Sequence, residues 1–325
     1  MTKIRAVLAA ASVLFLTACG GGQTPSPDAS DAGKPASAGL TSVKVSVIPI
    51  VDVAPVYLGA QEGFFAEEGL KLELVSAQGG AAIVPAVVSG QVEFGFSNFT
   101  SLIIARSKGL PLKVVTPGAG STGAQGKDFG GVVVKADSPL KSAADLAGKR
   151  VAVNTLNNIN DTTVRASIRA AGGDPKNVEF VELPFPDMLA ALDKGSVDAV
   201  QVVEPFLATA QKNGDRVIAS NYVDTAPGLA IAGYFTSEQT IASKPDLVKR
   251  FTSAMLKSLK YASDNPDAVR KVLLTYTKID SAMAGSLTLP TYPSEINRGS
   301  LETLSKLALQ DGLIQTAPDL GELLP

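Results

Sequence analysis

The fold class is decided by residues 43–75, which read VKVSVIPIVDVAPVYLGAQEGFFAEEGLKLELV. Residues 43–48 alternate and are rich in β-branched side chains, so they predict a strand, and residues 70–75 predict a second strand. Residues 57–68 between them predict a helix, which ends at Gly69, where a helix-ending glycine belongs. A strand, a helix and a strand in this order indicate a parallel sheet with helices on its faces.

The same alternation continues along the chain. Further strands are predicted at residues 92–96, 112–116, 150–153, 178–183, 199–203 and 216–220, with helices at 100–108, 162–171 and 187–194. Landmarks of the first run recur in the second at a nearly constant spacing. Val45 lies 106 residues before Val151, and Gly109 lies 105 residues before Gly214. This spacing favours two similar α/β lobes, with chance among common glycine and valine positions as the alternative.

Two apolar β stretches fall outside the repeat, at residues 131–134 and 229–235, and both are natural crossover strands between the lobes. After the second stretch the sequence predicts helices that begin near Pro245, Pro266 and Ser294 and pack back on the first lobe. The predicted fold class is therefore α/β with two lobes, each a mixed sheet flanked by helices. Open sheets of this kind bind ligands outside the carboxyl ends of their strands, which here means the cleft between the lobes.

The predicted lobe boundaries follow from these elements. The first lobe is discontinuous and comprises residues 42–130 and 234–325, whereas residues 131–233 form the second lobe. The two crossover strands are expected to act as a hinge.

The N-terminus predicts export and lipid anchoring. Lys3 and Arg5 precede an apolar stretch at residues 6–16. This stretch is too short to span a bilayer, because a membrane-spanning helix needs about 20 apolar residues. The next residues, Leu-Thr-Ala-Cys-Gly, resemble the bacterial lipobox and end in Cys19 and Gly20. Residues 1–18 are therefore expected to be a signal peptide, and Cys19 is the expected lipidation site. A buried free thiol, or an ordinary cut near Ala18, is the alternative.

Residues 20–39 consist mostly of Gly, Pro, Ser, Ala and Asp, which cannot bury enough surface to offset ordering entropy. Residues 19–41 are therefore predicted to be a lipidated, flexible tether. The expected location is the bacterial cell envelope, outside the cytoplasm and attached to a membrane through the lipid.

Composition excludes several function classes. Removal of residues 1–18 takes away Lys3 and Arg5 and no acid, which changes the formal net charge from −2 to −4. This charge does not suggest a nucleic-acid partner. The chain has no histidine, so a Ser-His-Asp triad is impossible and the usual transition-metal ligand is missing. With Cys19, the single cysteine, acylated, no zinc–cysteine site remains. Catalysis by carboxylates alone stays open, with Asp187 and Asp193 on one predicted helix. We expect no enzyme activity, no cofactor and no metal.

Four blocks of sequence carry a resemblance to a known family. They are residues 54–74, residues 88–95 (VSGQVEFG), residues 143–153 (AADLAGKRVAV), and residues 191–199 followed by Glu204-Pro205. In this order they resemble the nitrate/sulfonate/taurine-type periplasmic binding proteins, which share a fold with the THI5/NMT1-like proteins. One departure is Pro85, which falls inside an expected helix and should kink or shorten it.

The resemblance implies a type II periplasmic-binding-protein (Venus-flytrap) fold and a monomer that delivers a small solute to an ABC permease and its ATPase. It also extends to THI5-type pyrimidine synthases, but their chemistry uses histidine, which this chain lacks. A lipid-anchored sensor or a protein that recruits a partner is the alternative function on the same scaffold.

Loops that follow the strands supply the candidate ligand contacts. They are Asp52, Val53, Ser97, Asn98, Thr100, Asn154, Asn157, Asn158, Asn160, Asp161, Thr162 and Glu204. Several of them precede helices, whose free N–H groups attract anions, although Ser97 and Asp161 can equally be helix caps. Phe99 and Phe206 can stack on a ligand or belong to the core.

Glu204 leaves two interpretations open, because it can hold an amine or hydroxyl of the ligand or bind backbone amides of the hinge. No arginine lies in these loops, which favours a zwitterion or a neutral heterocycle over a simple anion. Sulfonate, nitrate, taurine-like, aromatic-acid and pyrimidine solutes all stay open.

Overall fold

The computed structural model describes residues 39–325. The predicted signal peptide, Cys19 and most of the predicted tether lie outside the described residues. The first strand begins at Thr41. In the described part of the chain, no helix combines the length and the apolar character needed to cross a membrane.

Ten strands form two five-stranded sheets. The strands are β1 Thr41–Val47, β2 Leu70–Ser76, β3 Phe94–Asn98, β4 Leu112–Gly120, β5 Gly130–Val134, β6 Arg150–Val153, β7 Glu179–Glu182, β8 Ala199–Val203, β9 Arg216–Ala219 and β10 Ala230–Ser237. The first sheet has the order β2-β1-β3-β10-β4, and the second has the order β7-β6-β8-β5-β9.

The two sheets have the same topology, which agrees with the repeat seen in the sequence. In each sheet the strand at the second position (β1 or β6) pairs in parallel with its two neighbours, and the strand at the fourth position (β10 or β5) is antiparallel to both of its neighbours. The helix-ending glycines also correspond, since Gly109 and Gly214 both have a positive φ, at 78° and 91°. Only glycine adopts this backbone conformation without steric cost.

The chain crosses from the first sheet to the second between Gly120 and Gly130, and it returns between Ala219 and Ala230. Strand β5 lies wholly in the second sheet, and β10 lies wholly in the first. Each mixed sheet with its helices forms one lobe, as the sequence predicts, but the predicted lobe boundary after residue 233 falls inside β10. That the crossings act as a hinge stays a prediction.

Fourteen helices lie within the described residues. They are α1 Ala54–Gln61, α2 Phe64–Glu67, α3 Gly80–Val88, α4 Phe99–Ser107, α5 Ile159–Ala170, α6 Phe185–Asp193, α7 Phe206–Lys212, α8 Asn221–Thr225, α9 Glu238–Ser243, α10 Pro245–Asp264, α11 Pro266–Tyr276, α12 Ser281–Ser286, α13 Arg298–Gln310 and α14 Leu320–Leu323. Short 3-10 turns occur at Val51–Val53, Ala143–Leu146 and Pro175–Asn177.

The C-terminal helix α10 packs on the first lobe. Phe251 lies on its apolar face, and the Phe251 ring stacks on Phe94 of β3 with ring centroids 3.8 Å apart. On the same face, Ser258 approaches Gly59 of α1 so closely that a Cβ atom at Gly59 would lie 1.8 Å from the Ser258 Oγ. The close approach of α1 and α10 therefore requires glycine at position 59.

Some predicted elements are wrong in their bounds. The helix predicted at residues 57–68 is two helices, because Gly63 adopts a φ of 82° and ends the first one. The strand predicted at residues 92–96 lies two residues later, so it runs straight into α4 with no loop. Pro85 lies inside α3, and the helix continues past it to Val88.

Candidate functional site

The cleft between the lobes contains a small cavity of about 30 Å³, which is lined by both apolar and polar side chains. Residues at or just beyond the carboxyl ends of β1, β3, β6 and β8 line it, as expected for ligand sites of open α/β sheets. The lining comprises Ile48, Ile50, Asp52, Phe96, Asn98, Asn154, Asn158, Ile159, Asn160, Phe185, Val203, Tyr222, Ile231 and Ala232. We call this space the inner cavity. It has room for a group of about one water molecule.

Five of the predicted ligand residues meet at the inner cavity, namely Asp52, Asn98, Asn154, Asn158 and Asn160. All five are buried, and they come from both lobes. Their contact with a ligand stays a prediction, but their convergence shows that the residues at and just after the carboxyl ends of β1, β3 and β6 face a common space.

Hydrogen bonds between the asparagines hold the second-lobe side of the cavity. The Asn154 Oδ1 accepts from the Nδ2 atoms of Asn158 and Asn160, both at 2.8 Å. The Asn158 Oδ1 accepts from the backbone N–H of Asn160 at 2.8 Å. The Tyr222 hydroxyl donates to the Asn160 Oδ1 at 2.8 Å. Buried polar networks with their partners satisfied are rigid, so these side chains are fixed in place.

Asn98 connects the two lobes. Its Oδ1 accepts from the backbone N–H of Ser101 at 2.9 Å and thereby caps α4. The same oxygen accepts from the backbone N–H of Ile159, the first residue of α5 in the second lobe, at 3.2 Å. The lobes are therefore in direct polar contact at the inner cavity.

Asp52 is the one acidic residue among those that line the inner cavity. Its side chain is only 3% exposed, and its Oδ2 has no hydrogen-bond partner among the described residues. Burial raises the pKa of Asp52 from 3.8 to about 7, and the nearby carboxylate of Asp128 acts in the same direction. By contrast, Asp128 accepts hydrogen bonds from Ser121 and from the backbone of Thr122 and Phe129.

A second, larger cavity of about 420 Å³ lies beside the inner one. Both share Ile48, Ile50 and Phe185 as wall residues. The other residues of this outer cavity are Pro49, Ser76, Ala77, Gln78, Pro184, Pro186, Asp187 and Phe206. Its walls are mostly apolar, and the rings of Phe185 and Phe206 stack with centroids 5.7 Å apart. Its volume lies in the usual range for small-molecule sites.

The remaining predicted residues do not line either cavity. Val53, Ser97, Thr100 and Thr162 are fully buried in the packing around the strand ends. Asn157 is exposed and adopts a φ of 55° just before α5. The prediction that these residues lie in loops is wrong for three of them, because Ser97 lies within β3, Thr100 within α4 and Thr162 within α5.

Asp161 takes part in the cap of α5, but the N-cap residue is Asn158 and Asp161 is the third residue of the helix. In α4 the N-cap is likewise Asn98 and not Ser97. The Asp161 carboxylate accepts from the backbone N–H groups of Asn157 and Asn158 at 2.9 and 2.8 Å, and it forms a capping box with the Asn158 side chain. Burial raises the pKa of Asp161 to about 6, against the opposing effect of these hydrogen bonds.

Glu204 binds backbone amides. Its Oε2 accepts from the N–H of Ala208 at 2.9 Å, at the start of α7. Its Oε1 accepts from the N–H of Thr288 at 3.1 Å, in the C-terminal part that packs on the first lobe. Burial raises the pKa of Glu204 to about 7. Of the two interpretations left open by the sequence, this geometry corresponds to the backbone-binding one.

Sequence reasoning missed several wall residues. Gln78 follows β2 and Phe185 follows β7, and both strands are the parallel edge neighbours of β1 and β6. We applied the rule that ligand residues follow the carboxyl ends of strands only to the inner strands. Applied to the edge strands β2 and β7 as well, it would have identified both residues. Tyr222 lies on α8 and reaches Asn160 across 62 residues of sequence, for which no local signal exists.

Comparison with known proteins agrees with this geometry. The chain is 27% identical to the riboflavin-binding protein RibY of Chloroflexus aurantiacus over 299 residues, which cover 89% of this chain and 82% of that protein. It is also 27% identical to a formylaminopyrimidine-binding protein of Halalkalibacterium halodurans over 222 residues, which cover 67% of this chain and 65% of that protein. These relatives are solute-binding proteins.

The structure superposes on the alkanesulfonate-binding protein SsuA of Xanthomonas axonopodis pv. citri bound to MOPS, with a TM-score of 0.74 and 16% identity. The match covers 89% of this chain and 100% of that one, and it confirms the two-lobed periplasmic-binding-protein fold. A family model described as NMT1/THI5 like matches residues 50–269, more than half of the chain. The chain is therefore a member of the NMT1/THI5-like family.

Proposed function

We propose that this protein is an extracytoplasmic solute-binding lipoprotein, which captures a small polar solute between its lobes and delivers it to an ABC permease and its ATPase for import. The observation that carries the proposal is the convergence of buried polar side chains from both lobes on one cavity. The asparagines hydrogen-bond within the chain, but the buried Asp52 Oδ2 has no partner among residues 39–325, and a ligand can supply one.

The proposed mechanism is closure of the two lobes around the solute. In the open form, the bond from Ile159 to Asn98 is broken and the cleft admits solute. In the closed form, Asp52 and Asn98 of the first lobe and Asn154 of the second contact it together. A ligand that touches both lobes stabilises the closed form by its differential affinity for that form.

We further propose that Cys19 carries the lipid and that residues 19–41 form the tether. A tethered monomer has a high effective concentration at a permease in the same membrane. A single acyl chain anchors only marginally, so stable attachment requires more than one lipid chain.

We propose no enzyme activity for the site. The chain has no histidine, and the carboxylate at the inner cavity, Asp52, has no second carboxylate, amine or thiol beside it in the cavity lining. A general acid–base reaction requires a suitable group within hydrogen-bond reach of the reacting atom. Incubation with the bound solute should therefore yield no product.

A thermal-shift screen tests the proposal. The panel comprises sulfonates, nitrate, taurine-like zwitterions, aromatic acids and pyrimidines, with mass spectrometry to detect turnover. A true solute at about 100 times its Kd stabilises the folded chain by about 2.7 kcal/mol. Asn160→Ala should weaken binding of that solute, whereas Asn213→Ala, at an exposed site after α7, should not.

Transport is tested by uptake of the identified solute into cells that lack this gene. Loss of uptake that the intact gene restores supports delivery to a permease. Normal uptake together with tight binding would favour the sensor function instead. A product formed from the solute would contradict the binding-protein assignment.

A further inference from the structure

Polar contacts join the two lobes at the inner cavity and at Glu204, and a further contact lies away from both cavities. It is the ion pair between the guanidinium of Arg169 and the carboxylate of Asp311. Arg169 lies in the last turn of α5, in the second lobe. Asp311 directly follows α13, which packs on α4 of the first lobe. Neither residue lines the inner or the outer cavity, so this pair joins the lobes outside the candidate ligand site.

Each charge of this pair depends on the other. The Asp311 side chain is only 2% exposed, and Arg169 is its one hydrogen-bond or ion-pair partner within residues 39–325. The second carboxylate oxygen of Asp311, Oδ2, and the Nη1 of Arg169 are buried and have no partner in the same range. Burial of a carboxylate without a cation or an N–H donor is strongly unfavourable. Contact between the lobes at Asp311 is therefore stable only while Arg169 lies beside it.

Arg106 makes the corresponding contact inside one lobe. It also lies in the last turn of a helix, α4, and its side chain is 13% exposed. Its partners Glu238 and Glu322 both belong to the first lobe. That cluster stays intact when the lobes move relative to each other, whereas the pair of Arg169 and Asp311 does not.

The ion pair lies well away from the crossings between the lobes. At the start of α13, the Ser300 hydroxyl accepts from the backbone N–H of Ala230, where the chain returns to the first sheet. Asp311 follows eleven residues later, which is roughly 16 Å along a helix that rises 1.5 Å per residue. Because of this distance, rotation of the second lobe about the crossings moves Arg169 away from Asp311.

We propose that the ion pair of Arg169 and Asp311 is a latch outside the cleft, which holds the second lobe against the first and sets how often the cleft opens. The inference rests on the proposed closure of the lobes and names the residues that set its equilibrium. Removal of one partner leaves a buried, unpaired charge in the closed form, whereas water hydrates that charge in the open form. The equilibrium then shifts towards the open form.

The backbone amide of Ile159 reports on this equilibrium. Ile159 is the first residue of α5, so its N–H has no partner within the helix, and it donates to the Asn98 Oδ1 of the other lobe. The N–H of Ser101 donates to the same oxygen but belongs to the same lobe as Asn98. Opening of the lobes exposes the Ile159 amide and leaves the Ser101 amide protected, whereas fraying of α4 exposes both.

Hydrogen–deuterium exchange of the purified chain without solute measures both amides, with electron-transfer fragmentation and mass spectrometry to resolve them. In Arg169→Met the Ile159 amide should exchange at least ~10-fold faster, because Asp311 loses its counter-ion in the closed form, and the Ser101 amide should change by less than ~3-fold. Arg106→Met is the matched control. It removes an ion pair within one lobe and should change the exchange of Ile159 by less than ~3-fold.

Two further variants distinguish the latch from a general loss of stability. Arg169→Met combined with Asp311→Leu removes both charges and leaves an apolar contact, so the Ile159 amide should return to within ~3-fold of its original exchange rate. Arg169→Lys keeps the charge but loses the planar fork, so its Ile159 amide should exchange about 3-fold faster. If Arg169→Met does not fold, Arg169→Lys decides, and an unchanged rate in that variant overturns the latch.

Four other results overturn the latch. They are an Ile159 amide that exchanges at the unprotected rate in the original chain, unchanged or slower exchange in Arg169→Met, equal acceleration at Ile159 and Ser101, and no recovery in the double variant. None of these results affects the solute-binding function, because the thermal-shift panel tests that function separately. Failure of the whole panel, in turn, refutes solute binding and leaves the latch in place.

Discussion

Substitution of Asp52 by asparagine should change the stability of the ligand-free protein in a pH-dependent way. Asp52 is buried without a partner for its Oδ2, and its pKa is raised to about 7 in the folded state. In the unfolded chain the pKa returns to 3.8. The folded state therefore holds a proton on Asp52 that the unfolded state releases between about pH 4 and pH 7. The contribution of Asp52 to the unfolding free energy is therefore fully present below pH 4 and is lost as the pH rises through 7.

The size of the effect follows from the two pKa values. The cost of ionising Asp52 in the folded state grows to roughly 4 kcal/mol at pH 8, by the linkage between pKa and stability. The asparagine side chain of the variant carries no charge, so ionisation does not destabilise it. Its buried amide lowers the unfolding free energy by about 1–3 kcal/mol if it has no hydrogen-bond partner. That loss does not depend on pH. The stability difference between Asp52→Asn and the original protein should therefore shift by about 4 kcal/mol in favour of the variant between pH 4 and pH 8.

Urea unfolding followed by far-ultraviolet circular dichroism at several pH values between 4 and 8 measures this difference. Asp161 and Glu204 also have raised pKa values, of about 6 and 7, but they are common to both proteins and cancel in the comparison. The exposed Asp137→Asn serves as the control and should follow the original protein at every pH. Parallel curves for Asp52→Asn and the original protein would refute the reasoning, because they would mean that Asp52 ionises as it does in the unfolded chain.

Three further predictions concern packing, hinge contacts and anchoring. Gly59→Ala should lower the unfolding free energy by about 1–3 kcal/mol, because the new Cβ collides with Ser258. Gly285→Ala is the control, since its Cβ meets no atom within 4 Å, and it should be neutral or stabilising. Urea unfolding measures both variants. Glu204→Ala should destabilise the ligand-free protein by about 2–3 kcal/mol, since the buried N–H of Ala208 and the half-buried N–H of Thr288 lose their acceptor. Thermal melting measures the change, and an unchanged Tm would contradict the backbone role. Cys19→Ala should release the protein into the soluble fraction with unchanged ligand affinity, and weaker binding would argue against a purely anchoring role.

The sequence predicts the framework of this fold well because strand pattern is local. The strands at residues 150–153 and 199–203 have the bounds that alternation and β-branched content predict. The repeat spacing also agrees with the common strand order of the two sheets. Errors occur where a single backbone angle decides, as at Gly63, which divides one predicted helix into two.

The candidate site is predictable only in part. That Asp52 and Asn98 face the cleft follows from their positions at strand ends. The Glu204 contact with Ala208 is local, but its contact with Thr288, and the lack of a partner for the Asp52 Oδ2 within the described chain, depend on which distant groups arrive beside each carboxylate. Such long-range contacts leave no pattern in nearby residues, and Tyr222 was missed for the same reason.

The direct passage of β3 into α4 has a consequence for how ligand preference changes over time. Binding sites usually diversify by insertions and deletions in loops, which tolerate changes of length. Here Asn98 ends the strand and caps the helix, so no loop residue exists in which length can vary. We therefore expect new ligand preferences on this side of the cleft to arise by exchange of single side chains at fixed positions, with the backbone left unchanged.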